Sequence, residues 1–204
     1  MSIATRTFDD LVAEAVSFHG HLCPGQVLGV RMTLAGLREI GVDDPRAAGK
    51  SLVIVVEIDR CATDAIQALT GVTLGKRTLR FLDYGKMAAT FIDRRSGASV
   101  RVVARESARA RAAALVPDAP DARRAQMAAY RAMPEHELLA LEPVIVDADW
   151  LERPRVRVIC AQCGEGVNYQ RELRVAGRPM CRGCAGVPYF RYDRRHTAVP
   201  AALA

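Results

Sequence analysis

Apolar positions recur along this chain with two periods, and the switches between them outline the fold. From Phe8 to Phe18 the positions Phe8, Leu11, Val12, Ala15 and Val16 share one helical face, and the run ends at His19-Gly20. A second helix is predicted behind Cys23. Pro24 suits its first turn, Val27, Leu28, Val30, Met32, Leu34 and Leu37 follow, and Gly41 stops it. Residues 51–58 (SLVIVVEI) are β-branched and continuously apolar, which predicts a central strand covered on both faces. Residues 61–70 then read as a short helix ended by Gly71. Three strand-like runs follow over 78–84, 87–93 and 99–105, with turns at Tyr84-Gly85-Lys86 and Ser96-Gly97. Residues 106–115 and 122–141 read as Ala/Arg-rich helices, the second capped by Asp121 and interrupted at Pro134. A short run over 144–146 leads to a boundary near Trp150, so a main α+β domain is expected over 1–150 and a tail over 151–204, with no internal repeat.

Composition narrows the class. Half of the 204 residues are apolar and a quarter charged, a globular balance that excludes disordered and fibrous chains. No stretch approaches the length of uncharged apolar chain that spans a bilayer, and the start lacks a basic region followed by an apolar one. The expectation is a soluble, cytoplasmic protein with no membrane partner. The net charge of +6 is carried almost wholly by arginine, since Lys50, Lys76 and Lys86 are the only lysines. Guanidinium groups pair well with anions, but a GC-rich genome also favours Arg over Lys. The arginines are scattered and aromatics make up only 5% of residues, which argues against nucleic acid as a partner.

The six cysteines form two constellations. Cys160-x2-Cys163 and Cys181-x2-Cys184, with 17 residues between the pairs, have the spacing of a four-thiolate zinc site. Gly164 and Gly183 ease the two turns, and residues 172–175 and 178–180 read as a hairpin around Ala176-Gly177. A closed tetrahedron of sulfurs leaves no position for chemistry, so the primary reading is a structural zinc ribbon. Arg171, Arg174, Arg178 and Arg182 keep a nucleic-acid or partner-binding ribbon as the alternative. Tyr169, Tyr189, Phe190 and Tyr192 equally suit packing onto the main domain.

The second constellation is His19-Gly20-His21-Leu22-Cys23-Pro24-Gly25. If the segment is extended, alternation puts residues 19, 21 and 23 on one side. Cys23 and Cys61 both stand at predicted helix starts, where the macrodipole favours a thiolate, and Asp64 lies one turn after Cys61. Taken singly, each cysteine reads equally well as a small core hydrophobe.

The chain resembles the E-subunit family of formylmethanofuran dehydrogenase. The resemblance is carried by residues 18–25 (FHGHLCPG) with Gly29 and Arg31, then 59–67 (DRCATDAIQ) through Thr70-Gly71, Leu74-Gly75-Lys76, and Asp83-Tyr84-Gly85-Lys86. It covers roughly residues 10–105, and a C-terminal four-cysteine ribbon occurs in some members. The resemblance implies a helix-strand-helix-three-strand mixed sheet similar to the catalytic domain of glyceraldehyde-3-phosphate dehydrogenase. It also implies a homodimer and a metal, often zinc, held by the His/Cys motif. Many relatives have a cysteine where this chain has Val72, which puts any function needing that thiol in doubt.

Together these readings predict two sites of different character. An open one, from His19, His21, Cys23 and Cys61, would hold zinc or another divalent metal and leave a place for water or substrate. Cys61, Asp64 and Lys86 are the catalytic candidates, with Lys76 and Asp83 as further polar groups, acting on a small carbonyl or one-carbon compound. His21, Cys23 and Cys61 are expected to converge on one ion. A closed site in the tail would hold structural zinc. The rival readings are a non-catalytic protein that carries metal or cofactor for a molybdenum or tungsten oxidoreductase, and a redox enzyme using Cys23 and Cys61 as a dithiol.

Overall fold

Helix α1 (Phe8–His19) starts because Thr7 and Asp10 cap each other's backbone amides in a capping box, and it ends at Gly20, whose φ of +95° most side chains avoid. The computed structural model to which these elements belong describes residues 2–152 and 154–191, so Tyr192 lies outside the described residues. The chain divides into two compact units, Met1–Ile145 and Val146–Ala204.

In the first unit α2 (Pro24–Glu39) begins with Cys23 as its N-cap and Pro24 at its first position. After the short α3 (Pro45–Ala48) comes β1 (Leu52–Val56), buried at all five positions as its unbroken apolar run requires. Helix α4 (Cys61–Thr70) ends at Gly71 with φ +72°. Strands β2 (Leu79–Phe81), β3 (Ala88–Asp93) and β4 (Ser99–Ala104) follow, then α5 (Glu106–Leu115). This is the predicted helix-strand-helix-three-strand order. The sheet is mixed: α4 is the crossover between parallel β1 and β2, while β1, β3 and β4 pair antiparallel.

The predicted helix over 122–141 is corrected. Helix α6 (Ala122–Ala132) stops before Pro134, a four-residue α7 (Glu135–Leu138) follows, and residues Leu139–Pro143 form β5, which pairs antiparallel with β4. The sheet therefore has five strands, in the order β2-β1-β3-β4-β5. Pro134 cannot continue a helix. Beyond it the pattern changes period: Leu139 and Leu141 point to the core while Ala140 and Glu142 point away, which suits a strand. The Arg31 guanidinium fixes the end of α6, donating to the carbonyls of Tyr130 (3.0 Å), Arg131 (3.2 Å) and Met133 (3.0 Å). Its burial lowers its pKa from the ordinary arginine value.

Helices α1 and α2 pack on α4 over one face of the sheet, and two glycines set how closely. A Cβ at Gly29 would lie 2.6 Å from Ala62 O and 2.7 Å from Ala65 Cβ; one at Gly25 would lie 2.7 Å from Cys61 Cβ. The α2 backbone thus rests directly on the first turns of α4. No helix among the described residues is long and apolar enough to cross a membrane.

In the second unit, after α8 (Ala148–Leu151), β6 (Arg157–Ile159) pairs with β7 (Gly166–Asn168), and β8 (Leu173–Val175) pairs with β9 (Arg178–Met180). Ala176 and Gly177 close the second hairpin with φ of +48° and +76°, the two-residue turn whose twist matches its strands.

Replacing Gly29 with Ala should lower stability by ~1–3 kcal/mol, because the atom it meets is backbone and cannot swing aside. Urea unfolding monitored by circular dichroism measures this; an unchanged midpoint would mean that α2 and α4 are not in contact there.

Candidate metal centres

Three element ends meet where α4 begins. His19 is the last residue of α1, Cys23 caps α2, and Cys61 opens α4. One donor atom from each, a His19 ring nitrogen and the two Sγ atoms, lies within 4.8 Å of the others. Cys23 is buried, while His19 and Cys61 are half-buried. His19 Nε2 lies 3.8 Å from Cys23 Sγ. Two sulfurs bound tetrahedrally to one zinc at about 2.3 Å stand ~3.8 Å apart, and a nitrogen and a sulfur slightly less. The spacing fits a shared ion without rearrangement of the backbone.

The other face of His19 defines its chemistry. Nδ1 lies 2.7 Å from Asp64 Oδ2, so the Nδ1 proton is donated to the carboxylate and the Nε2 lone pair is left facing the thiols. This carboxylate–histidine arrangement is common behind a metal-ligating imidazole, where it fixes the ring and raises its basicity. Asp64 accordingly acts here by positioning His19. Gln26 supports the same corner: fully buried in the first turn of α2, it donates from Nε2 to Cys61 O at 2.6 Å, while its Oε1 has no partner among the described residues.

The structure leaves His21 outside the group of converging donors. Its ring packs against that of His19, with 4.6 Å between centroids, because Gly20 turns the chain out of α1 and exposes residue 21. Lys86 N donates to Glu57 O at 3.3 Å, which sets Lys86 at the sheet edge from which α4 departs. Its side chain, like those of Lys76 and Asp83, is exposed, and it has no hydrogen-bond partner among the described residues. Val72 is buried in the core beyond the far end of α4, roughly 15 Å from Cys61 by helical rise. A cysteine at that position would not join the three donors. Arg123, on α6, carries no motif that marks it in the sequence, yet it reaches the metal loop by donating to Leu22 O at 3.3 Å.

The thiol of Cys61 does not ionise as readily as its place at a helix start predicts. Burial raises its pKa first, and the adjoining Cys23 thiol raises it further. A metal is the charge that reverses this balance, since coordination deprotonates a thiol outright.

In the second unit the four cysteines bring their sulfurs within 4.8 Å of one another, with Cys163 and Cys181 Sγ 4.0 Å apart. Burial opposes the Cys160 thiolate, but backbone N–H groups of Cys163, Cys181 and Gln162 outweigh it and bring its pKa down to about 6; the Cys181 N–H lies 3.3 Å away. Cys184 moves the other way, pushed up by burial and by the neighbouring thiols. Arg171 stacks over the Tyr169 ring at 5.8 Å, and Tyr189 meets Phe190 edge to face at 5.0 Å with 97% of its surface exposed.

Comparison with known proteins agrees with this arrangement. The family model described as "FmdE, Molybdenum formylmethanofuran dehydrogenase operon" matches residues 18–140. The chain belongs to the FmdE family. The match begins at Phe18 and includes His19, Cys23, Cys61 and Asp64, so the first metal centre lies inside the family's own region. A crystal structure of an FmdE-like protein of tungsten formylmethanofuran dehydrogenase, from Syntrophus aciditrophicus, shares the fold, with a TM-score of 0.63 and 23% identity over 94% of this chain and 100% of that one. A probable S-adenosyl-L-methionine-binding protein of Archaeoglobus fulgidus is 42% identical over 94 residues, 45% of this FmdE-family chain. That stretch spans only 26% of the relative's length.

Two outcomes test the first centre. Asp64→Ala should weaken zinc binding there about 10–100-fold while leaving the four-cysteine site unchanged, as read by competition with a chromogenic chelator. Because Cys61 holds its proton above the ordinary thiol range, metal capture near neutral pH must release it. Affinity should therefore climb about tenfold per pH unit for each proton displaced and fall on acidification. A pH-independent affinity between about 6 and 8 would remove Cys61 from the ligand set.

Proposed function

We propose that this FmdE-family protein is a zinc protein with an open centre in its main domain and a closed structural zinc in its tail. The main domain would comprise residues 1–150 and the ribbon 151–204. The reading is carried by one observation: His19, Cys23 and Cys61 converge while Asp64 holds the far nitrogen of His19. Three protein ligands of this kind leave one position of a tetrahedron free, whereas four thiolates leave none. His21, beside His19, is the side chain that closes the first centre when no substrate is present. When bound there, zinc supplies Lewis acidity toward a carbonyl or one-carbon substrate.

The residues around it have separate tasks. Asp64 orients His19; Cys23 and Cys61 supply negative charge that the ion neutralises; Gln26 Oε1 offers an acceptor to a donor group entering the buried corner. Lys86, exposed at the same sheet edge, is the group proposed to orient an anionic or carbonyl-bearing substrate. The family description supports a second reading, a non-catalytic protein that serves a molybdenum or tungsten formylmethanofuran dehydrogenase by carrying metal or cofactor. Labile metal in the first centre and co-purification with a larger oxidoreductase would favour that reading; turnover of a small carbonyl compound would favour catalysis.

Elemental analysis of anaerobically purified protein should find about two zinc ions per chain, one yielding to mild chelation and one resisting it. Cys61→Ser should remove the yielding ion alone, and Cys181→Ser should remove the resistant one and loosen the tail. A Cys61→Ser variant that kept both ions would refute the first centre. We also propose a homodimer formed by the main domain; a chain ending after Trp150 that stays folded should remain dimeric in light scattering, and a monomer would sink the idea.

A further inference from the structure

At the opposite end of α4 from the metal centre lies a cavity of about 320 Å³, within the size range of small-molecule pockets. It is lined by Pro45, Arg46, Gly49, Lys50, Thr70, Gly71, Lys76 and Thr78. Two features mark it out. Lysine occurs only three times in the chain, against 26 arginines, yet two of the three lysines face this cavity. No acidic residue lines it, so the charge of the lining is entirely positive.

The three cations do different work. Arg46 is engaged: its guanidinium donates to Ala68 O at 2.7 Å and pairs with Glu14 at 2.9 Å. It thereby offsets the negative carbonyl end of α4, which would otherwise repel an anion from this place. Lys50 and Lys76 have no ion pair or side-chain hydrogen bond among the described residues, and both are exposed. The hydroxyls of Thr70 and Thr78 are already donated to Ile66 O and Thr73 O, so the lysines are the groups with bonds to offer. Two free ammonium groups over a pocket without a carboxylate match the charge of a phosphate dianion, where a single carboxylate would leave one unmatched. Glycines 49 and 71, with φ of +58° and +72°, keep the mouth free of side chains.

We propose that this cavity binds a phosphate-bearing small molecule through Lys50 and Lys76. The site is independent of the metal: α4 has ten residues, which puts the two ends roughly 14 Å apart.

Isothermal titration of the full chain with inorganic phosphate and with pyrophosphate, before and after metal removal, tests the proposal. Binding should be the same in both metal states, should weaken about tenfold in Lys50→Gln and in Lys76→Gln, and should weaken further in the double variant. Lys86→Gln, which removes the third lysine elsewhere, should leave it unchanged. Absence of millimolar binding, equal loss in Lys86→Gln, or loss on metal removal would each overturn the proposal, the last by placing the anion on the metal. Both lysines are exposed, and an unchanged zinc content in each variant shows that the fold is intact.

Discussion

The close contact of α2 with the start of α4 is the constraint on which the rest of this protein depends. Gly25 and Gly29 present no side chain to α4, so backbone meets backbone, and that distance is what brings the cap of one helix to the first residue of the other. Cys23 and Cys61 are separated by 37 intervening residues, including a full helix and the central strand, yet their sulfurs belong to one group. Widening the contact by even a methyl group would move the thiols apart along with the helices. Because α1 packs on the same helix, His19 arrives at this corner from a third direction, and Asp64, one turn into α4, meets its ring.

How much of this is legible in the sequence follows from whether the signal is local. The unbroken apolar run before Ile58 announces a strand buried on both faces, and Gly20 and Gly71 announce helix ends, because each depends on a few neighbouring residues. The sequence also points to the His/Cys motif and Cys61 as partners. It does not show which histidine of the pair faces inward. That choice depends on the left-handed turn at Gly20 and on a carboxylate 45 residues away, neither of which the HGHLC pattern encodes.

Strand β5 escapes a sequence reading for a similar reason. Its first residues continue an Ala/Arg-rich helical composition, and only the β4 edge waiting to be paired makes Leu139–Pro143 extended. Arg31 and Arg123 are equally invisible as long-range contacts, since each reaches a backbone carbonyl about a hundred residues away. In an arginine-rich chain their type alone carries no information.

Electrostatics gives α4 two unlike ends. At its amino end the dipole favours negative charge, but burial of Cys61 and the nearby Cys23 thiol outweigh that preference and keep the proton on. A few partial charges at a helix terminus cannot offset desolvation of a sulfur anion beside a second thiol; a divalent cation can. At the carboxyl end the same dipole would attract cations, and Arg46 satisfies it by binding the Ala68 carbonyl. Only because that demand is met inside the fold do Lys50 and Lys76 stay free of partners. The helix thus holds two thiols that need positive charge at one end and leaves two ammonium groups that need negative charge at the other. Neither end is complete in the protein alone, and the complementary signs of what each lacks follow from one short helix and the burial around it.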